Sequence, residues 1–157
     1  MSLELDEFWM RTAIAAAKAA RDLHEVPVGA CLISENDEIL AINGNRTITL
    51  NDPTAHAEIL VLRESASKIG NYRLTETVLY TTIEPCAMCA GALVNARIKR
   101  LVFGAHDTRF GAVESVFRLC SNSSLNHQIE ITSGVSAIEC RELMQSFFRE
   151  KRVKPKE

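Results

Sequence analysis

The chain has 157 residues, a formal net charge of -2, and hydrophobic and charged shares of 46% and 24%. These values are typical of one globular domain over residues 1–157, and they exclude a disordered chain and a general electrostatic attraction to nucleic acid. No apolar run is long enough to span a bilayer and no signal segment opens the chain, so we expect a cytoplasmic protein without membrane contact.

The first part of the chain predicts a helix, a hairpin and a second helix. Apolar residues recur at helical spacing over residues 3–23. Two strand-like runs, "VPVGACLIS" and "EILAING", are joined by the turn-forming "ENDE" and predict a hairpin. The stretch "NDPT" predicts a helix start, with Asp52 as N-cap and Pro53 as the first helical residue, and this helix continues to about Lys68.

The rest of the chain alternates between strands and helices. "TVLYTT" predicts a strand, residues 85–97 a helix and "RLVFGA" a strand, followed by a loop with a short helix between residues 106 and 124. "IEITSGV" predicts the last strand, and residues 137–152 the last helix. This order predicts an α/β fold whose mixed, mainly parallel sheet is covered by helices on both faces.

Two segments carry residues that suit a metal. Cys86 and Cys89 lie three apart at a predicted helix start, where thiolate, the metal-binding form, is favoured. With His56 they offer zinc three ligands and leave a fourth position open for water, which is the composition of a catalytic site. Taken alone, the cysteines also fit a redox pair, and a lone histidine fits a helix surface.

Glu58 changes the balance between these alternatives. It stands two residues after His56, so the chain contains H-A-E and, further on, P-C-x-x-C. This is the signature of zinc deaminases, in which a glutamate beside the metal acts first as general base and then as general acid. We therefore predict His56, Cys86 and Cys89 as zinc ligands and Glu58 as the catalytic residue.

Beyond these motifs, the sequence resembles the bacterial tRNA-specific adenosine deaminase family. The resemblance covers nearly the whole chain and includes "EVPVGA", "DPTAHAEI", "NYRL", "LYTTIEPCAMCAGALVNARI", "VFGAHD" and "FFREKR". It implies a three-layer α/β/α cytidine deaminase-like fold with a mixed five-stranded sheet. It also implies one zinc ion per subunit, a homodimer, and deamination of adenosine to inosine at the wobble position of a tRNA anticodon, with an arginine tRNA as the expected partner.

The resemblance assigns further substrate-binding residues. Asn45 matches the asparagine that hydrogen-bonds the target base, although "NGN" is also typical of a turn. Val28 and Ala57 match apolar positions that line the base pocket, and by periodicity alone they are core residues. Asp107 matches the loop aspartate that contacts the neighbouring nucleotide.

The C-terminal segment is basic and aromatic. Residues 141–157 contain six basic and three acidic residues, a pattern that by itself favours a solvated tail. With the resemblance, Phe148, Arg149 and Arg152 become candidate contacts to the anticodon loop. Phe147 is the alternative aromatic contact, since neighbouring helical residues face different ways.

The sequence departs from the family pattern at His106, where arginine or proline is frequent, and at Glu114, where a small residue is expected. Both departures fall in the loop that should approach RNA. Three further cysteines match no metal position and are interpreted as small buried residues: Cys31, Cys120 and Cys140.

Two other functions use some of the same residues. A deaminase of a free base or nucleotide, of guanine or cytosine type, requires the same H-A-E and P-C-x-x-C residues. A non-catalytic RNA-binding protein that keeps zinc for stability is the second alternative, but it has no use for Glu58.

Overall fold

The structure is a computed structural model that describes residues 2–153. Four helices and five strands follow one another along the chain: α1 (Leu3–Asp22), β1 (Gly29–Ile33), β2 (Ile39–Gly44), α2 (Ala57–Ile69), β3 (Val78–Ile83), α3 (Ala87–Ala96), β4 (Arg100–Ala105), β5 (Glu130–Ser133) and α4 (Ala137–Val153). Within this described range, no helix combines the length and the apolar character needed to cross a membrane.

The strands form one mixed sheet in the order β2-β1-β3-β4-β5. β1 pairs antiparallel with β2 and β3, whereas β3, β4 and β5 pair in parallel, so four strands point one way and β1 points the other. α1 and α4 contact each other on one face of the sheet, and α2 and α3 contact each other on the opposite side. The predicted hairpin and the expected mixed five-stranded sheet with helices on both faces are confirmed.

Two glycines allow α1 to lie directly on the sheet. A Cβ atom at Gly29 would collide with the backbone of Ala13 and Ala17, and one at Gly44 would stand 2.7 Å from the carbonyl oxygen of Ala16. The facing α1 residues Ala13 and Ala17 are fully buried. The small alanine side chains of α1 thus permit close contact between the helix and the sheet. This contact holds β1 and β2 beside the strands that the second half of the chain forms.

A buried ion pair joins α1 to the start of β4. The Arg100 guanidinium donates to both carboxylate oxygens of Asp6, with Nη1–Oδ1 2.9 Å and Nη2–Oδ2 2.6 Å. The Tyr80 hydroxyl also donates to Asp6, at 2.9 Å. Since the side chains of Arg100 and Asp6 are only 8% and 4% exposed, the pair is withdrawn from solvent.

Two local predictions are wrong. α2 begins at Ala57 rather than at Pro53, because Asp52 caps a tight turn: its Oδ1 accepts from the backbone nitrogen of Thr54 at 2.8 Å. The short helix predicted between residues 106 and 124 is absent, and that segment contains only turns. The later start of α2 matters for function, since it makes His56 the N-cap residue and puts Glu58 in the first turn.

Candidate active site

The starts of α2 and α3 bring the three predicted ligands together. His56 and Cys86 are the N-cap residues of these helices, and Cys89 lies in the first turn of α3. The Nδ1 atom of His56 is 3.7 Å from Cys86 Sγ and 3.5 Å from Cys89 Sγ. The ligand atoms of all three residues lie within 4.8 Å of one another.

This donor set fits zinc. With zinc–nitrogen and zinc–sulfur bonds of about 2.0 and 2.3 Å, a tetrahedral site needs nitrogen and sulfur about 3.5 Å apart. The separations of 3.7 and 3.5 Å between His56 and the two cysteines are close to that value. Two sulfurs and one imidazole nitrogen are also ligands that zinc accepts, and they leave one tetrahedral position for a water or a substrate.

The thiol groups of Cys86 and Cys89 differ in pKa. A hydrogen bond from the Cys89 thiol lowers the pKa of Cys86 to about 4. The same hydrogen bond, together with burial, raises the pKa of Cys89 far above its ordinary value. Without a metal, the pair therefore retains one proton between them near neutral pH, and a metal that takes both sulfurs must release it.

Glu58 is the only charged side chain in the first turn of α2, and it is 3% exposed. Burial raises its pKa to about 7. Within residues 2–153, its Oε1 atom is buried and has no hydrogen-bond partner. A buried carboxyl oxygen without a hydrogen-bond partner is costly in a core, so its position beside the three predicted ligands makes Glu58 a candidate for proton transfer.

Asn45 and the apolar residues lie next to the same helix start. The Asn45 side-chain oxygen accepts from the backbone nitrogen of Ala57 at 2.8 Å, and the Asn45 backbone nitrogen donates to the Val28 carbonyl at 3.0 Å. All three residues are buried, with exposures of 8%, 0% and 9% for Asn45, Ala57 and Val28. The amide oxygen of Asn45 is thus occupied by a hydrogen bond to the residue after His56, and its amide nitrogen can act only as a donor.

Asp107 lies in a loop tied to the start of α3. Its backbone nitrogen donates to Glu84 Oε1 at 3.0 Å, and its own Oδ1 accepts from the backbone nitrogens of Arg109 and Phe110. One carboxylate oxygen of Asp107 therefore closes a local turn. The other has no recorded partner in the described part of the chain.

Sequence reasoning missed Glu84, which organises this loop. Its buried carboxylate accepts from the backbone nitrogens of Asp107, Val113, Glu114 and Ser115 at 2.8 to 3.1 Å, and from the Ser115 hydroxyl. These hydrogen bonds hold its pKa below the ordinary value against the opposing effect of burial. The available signal was a glutamate placed between a buried strand and a helix start. We name residues 107–115 the Glu84 loop.

The two departures from the family pattern contact each other. His106 Nε2 lies 3.0 Å from Glu114 Oε1, so the residue just before the Glu84 loop contacts a residue near the end of that loop.

The C-terminal candidates lie in another layer. Phe147 is 5% exposed and Phe148 is 44% exposed, so Phe148 is the outward-facing aromatic residue, as predicted. Arg149 and Arg152 are exposed, and Arg149 lines a groove with Lys18 and Arg21 of α1. The structure does not bring these residues into contact with the ligands. The remaining cysteines Cys31, Cys120 and Cys140 are buried, as expected.

Comparison with known proteins agrees with this arrangement. The profile of the MafB19-like deaminase family matches residues 5–152. A tRNA-specific adenosine deaminase from Haemophilus influenzae is 48% identical over 98% of this chain and 88% of its own length. One from Bacillus subtilis is 44% identical over 96% and 93%, respectively.

A solved structure from work on A-to-I editing by tRNA deaminases at the wobble position of transfer RNA has the same fold. It superimposes with a TM-score of 0.83 at 43% identity and covers 87% of this chain and 98% of its own. The fold is thus the cytidine deaminase-like fold. With relatives this similar over nearly the full length, the chain belongs to the tRNA-specific adenosine deaminase family.

Proposed function

We propose that the protein hydrolyses adenosine to inosine at the wobble position of a tRNA anticodon. The observation that carries the proposal is the convergence of His56 Nδ1 and the sulfurs of Cys86 and Cys89 beside the buried, unpartnered Oε1 of Glu58. His56, Cys86 and Cys89 would hold one zinc ion. When bound, zinc supplies Lewis-acid activation of a water molecule.

The protein's own groups move the protons. Water adds its oxygen to C6 of adenine, the bond between C6 and the amino nitrogen breaks, and the products are inosine and ammonia. Glu58 accepts a proton from the water, delivers one to ring nitrogen N1, and assists protonation of the leaving amine. The burial that raises the pKa of Glu58 suits a group that must both take up and give back a proton.

Asn45, Val28 and Ala57 would form the wall that receives the base. The free amide nitrogen of Asn45 can donate to a ring nitrogen of the purine, while the apolar side chains exclude water from its faces. An anticodon loop suits this pocket, because its bases are unpaired and turn outward at low cost. A duplex substrate would first have to be unpaired.

The direct test is to incubate the zinc-loaded protein with an unmodified anticodon stem-loop of an arginine tRNA carrying adenosine at the wobble position. We expect stoichiometric inosine and ammonia from this RNA, and none from free adenosine, guanine or cytidine offered in parallel. Consumption of free guanine or cytidine instead would assign the protein to the free-base or nucleotide deaminases. Zinc binding without ammonia from any substrate would indicate a structural metal.

The C-terminal helix would extend the RNA-binding surface. Phe148 is exposed, and Arg149 shares a groove with Lys18 and Arg21. Glu139 and Glu142 also line this groove, and Glu139 pairs with Lys18 at 3.7 Å. We expect the double substitution Arg149→Ala and Arg152→Ala to weaken stem-loop binding and to reduce its salt slope by up to about two, since each phosphate contact contributes about one. Zinc content should not change. Unchanged affinity, measured at two salt concentrations, would show that Arg149 and Arg152 belong to a solvated surface and do not contact the RNA.

Family membership also supports a one-domain subunit over residues 1–157, assembly as a homodimer with one zinc ion per subunit, and action in the cytoplasm. Residues 154–157, which add two of the six basic residues of the C-terminal segment, lie outside the described residues.

A further inference from the structure

The Glu84 loop is fixed to the metal-binding helix. Besides the hydrogen bonds to Glu84, the backbone nitrogen of Ala112 donates to the carbonyl oxygen of Pro85 at 2.8 Å. Glu84 and Pro85 directly precede Cys86 in the sequence. The position of the loop relative to the predicted metal ligands is therefore set by hydrogen bonds to the two residues before one of those ligands.

The first four residues of this loop form a rigid tip. Asp107 Oδ1 accepts from the backbone nitrogens of Arg109 and Phe110 at 3.0 and 3.1 Å, and Gly111 donates to the Asp107 carbonyl at 2.9 Å. Gly111 has no room for a side chain, because a Cβ atom would collide with the carboxyl group of Glu84. The turn is thus stabilised by its own hydrogen bonds to Asp107 and by its close contact with Glu84.

This rigid tip exposes the aromatic ring of Phe110 to solvent. Phe110 is 65% exposed, and the Arg109 guanidinium lies 5.6 Å from the centre of its ring. A single exposed phenylalanine needs no explanation by itself. Here, however, the ring stands on a turn whose backbone is hydrogen-bonded, has a guanidinium beside it, and belongs to the loop that is hydrogen-bonded to the two residues before Cys86. An aromatic face beside a guanidinium is the combination on which unpaired nucleobases stack, while the cation meets the adjacent phosphate.

We propose that Phe110 is a stacking residue for an unpaired base next to the target adenosine, with Arg109 at its phosphate. The inference rests on the proposed function and adds a substrate contact to it. It also gives a reason for the buried carboxylate that orders the Glu84 loop. A stacking contact adds most to affinity when the residue that carries the ring is already in position before RNA binds.

Tyr72 provides a matched control. It is 68% exposed, and the Arg73 guanidinium lies 5.6 Å from its ring centre, as Arg109 does at Phe110. Arg73 Nε also donates to the Tyr72 hydroxyl at 3.1 Å. Tyr72 follows the end of α2, whereas His56 stands at the start of that helix. Thirteen residues of helix separate the two ends by about 20 Å.

The test compares wild-type protein with Phe110→Ala, Phe110→Trp and Tyr72→Ala on the anticodon stem-loop, with inosine as the readout and zinc content measured for each protein. We expect Phe110→Ala to raise KM roughly tenfold while kcat changes less than about twofold. Phe110→Trp, which keeps an aromatic face, should restore KM to the wild-type value or below it. Tyr72→Ala should behave as wild type.

Several results would overturn the inference. A wild-type KM in Phe110→Ala excludes stacking, and an equal effect of Tyr72→Ala removes its link to the Glu84 loop. If Phe110→Ala instead dissociates an oligomer in sedimentation without raising KM, the ring belongs to a contact between copies of the chain. Wild-type protein that makes no inosine from the stem-loop overturns the proposed function itself, and this inference with it.

Discussion

Replacing Glu58 by glutamine is expected to lower kcat on the anticodon stem-loop by about 10²- to 10⁴-fold while zinc remains bound. Glutamine keeps the size and the buried position of the side chain, but it can neither accept the proton of the attacking water nor return it to the base. Glu58 is not among the three predicted ligands, so elemental analysis should still find one zinc per subunit.

The matched control is Glu64→Gln, the same change on the exposed side of the same helix. Glu64 accepts a hydrogen bond from Asn43 at 2.7 Å and has no role in the site, so kcat should stay at the wild-type value. Inosine formation by Glu58→Gln at more than a tenth of the wild-type rate would remove Glu58 from the mechanism. Loss of zinc in that variant would show instead that the carboxylate helps to hold the metal.

The largest expected effect on stability comes from the ion pair between α1 and β4. Asp6→Asn removes the carboxylate that is paired directly with the buried Arg100 guanidinium, and we expect the free energy of unfolding to fall by about 3–5 kcal/mol. Urea denaturation at neutral pH measures this change. Glu4→Gln is the control, because it removes a first-turn acid from the same helix but from an exposed position, and it should cost less than about 1 kcal/mol.

A second variant separates the unpaired charge from simple loss of packing. Adding Arg100→Met to Asp6→Asn removes the stranded cation, so the double variant should regain most of the lost stability. If the double variant is as unstable as the sum of its single changes, the two residues act independently, and the ion pair does not account for the loss.

The same pair makes stability depend on acid. Burial favours the neutral form of Asp6, but hydrogen bonds from Arg100 and Tyr80 outweigh it and hold the pKa of Asp6 below its ordinary value of 3.8. A carboxyl group whose pKa is lowered by folding contributes stability above its unfolded pKa and loses that contribution as pH falls through the folded pKa. Wild-type protein should therefore lose more stability than the double variant as the pH is lowered below about 4.

Sequence reasoning found the chemistry of the site because that chemistry depends on residue types at short spacing. H-A-E and P-C-x-x-C each lie within one segment, and each of them spans a helix start. The start of α2 was misplaced because Asp52 and Pro53 form a good helix start on local grounds, yet the Asp52 carboxylate is used by Thr54 in a turn. Two competing local structures with the same residues cannot be separated without the tertiary context.

The contacts that sequence reasoning missed join residues that are not neighbours along the chain. Glu84 binds a loop that begins 23 residues later, and His106 meets Glu114 across that loop. Glu84 belongs to no periodic pattern, and it belongs to no motif except that it precedes Pro85. Its role as the acceptor of five hydrogen bonds is therefore visible only in the folded chain, where the end of β3 lies beside the loop.

The place of His56 at the N-cap of α2 sets a limit on engineering. Histidine there makes no capping hydrogen bond with its side chain, whereas serine, aspartate or asparagine at an N-cap typically adds about 1 kcal/mol. In metal-free protein, a thermostability screen that ignores turnover would therefore favour replacement of His56, one of the three predicted zinc ligands. At this position, thermal stability and catalytic activity favour different residues. Libraries that aim at more thermostable variants should therefore keep His56 unchanged.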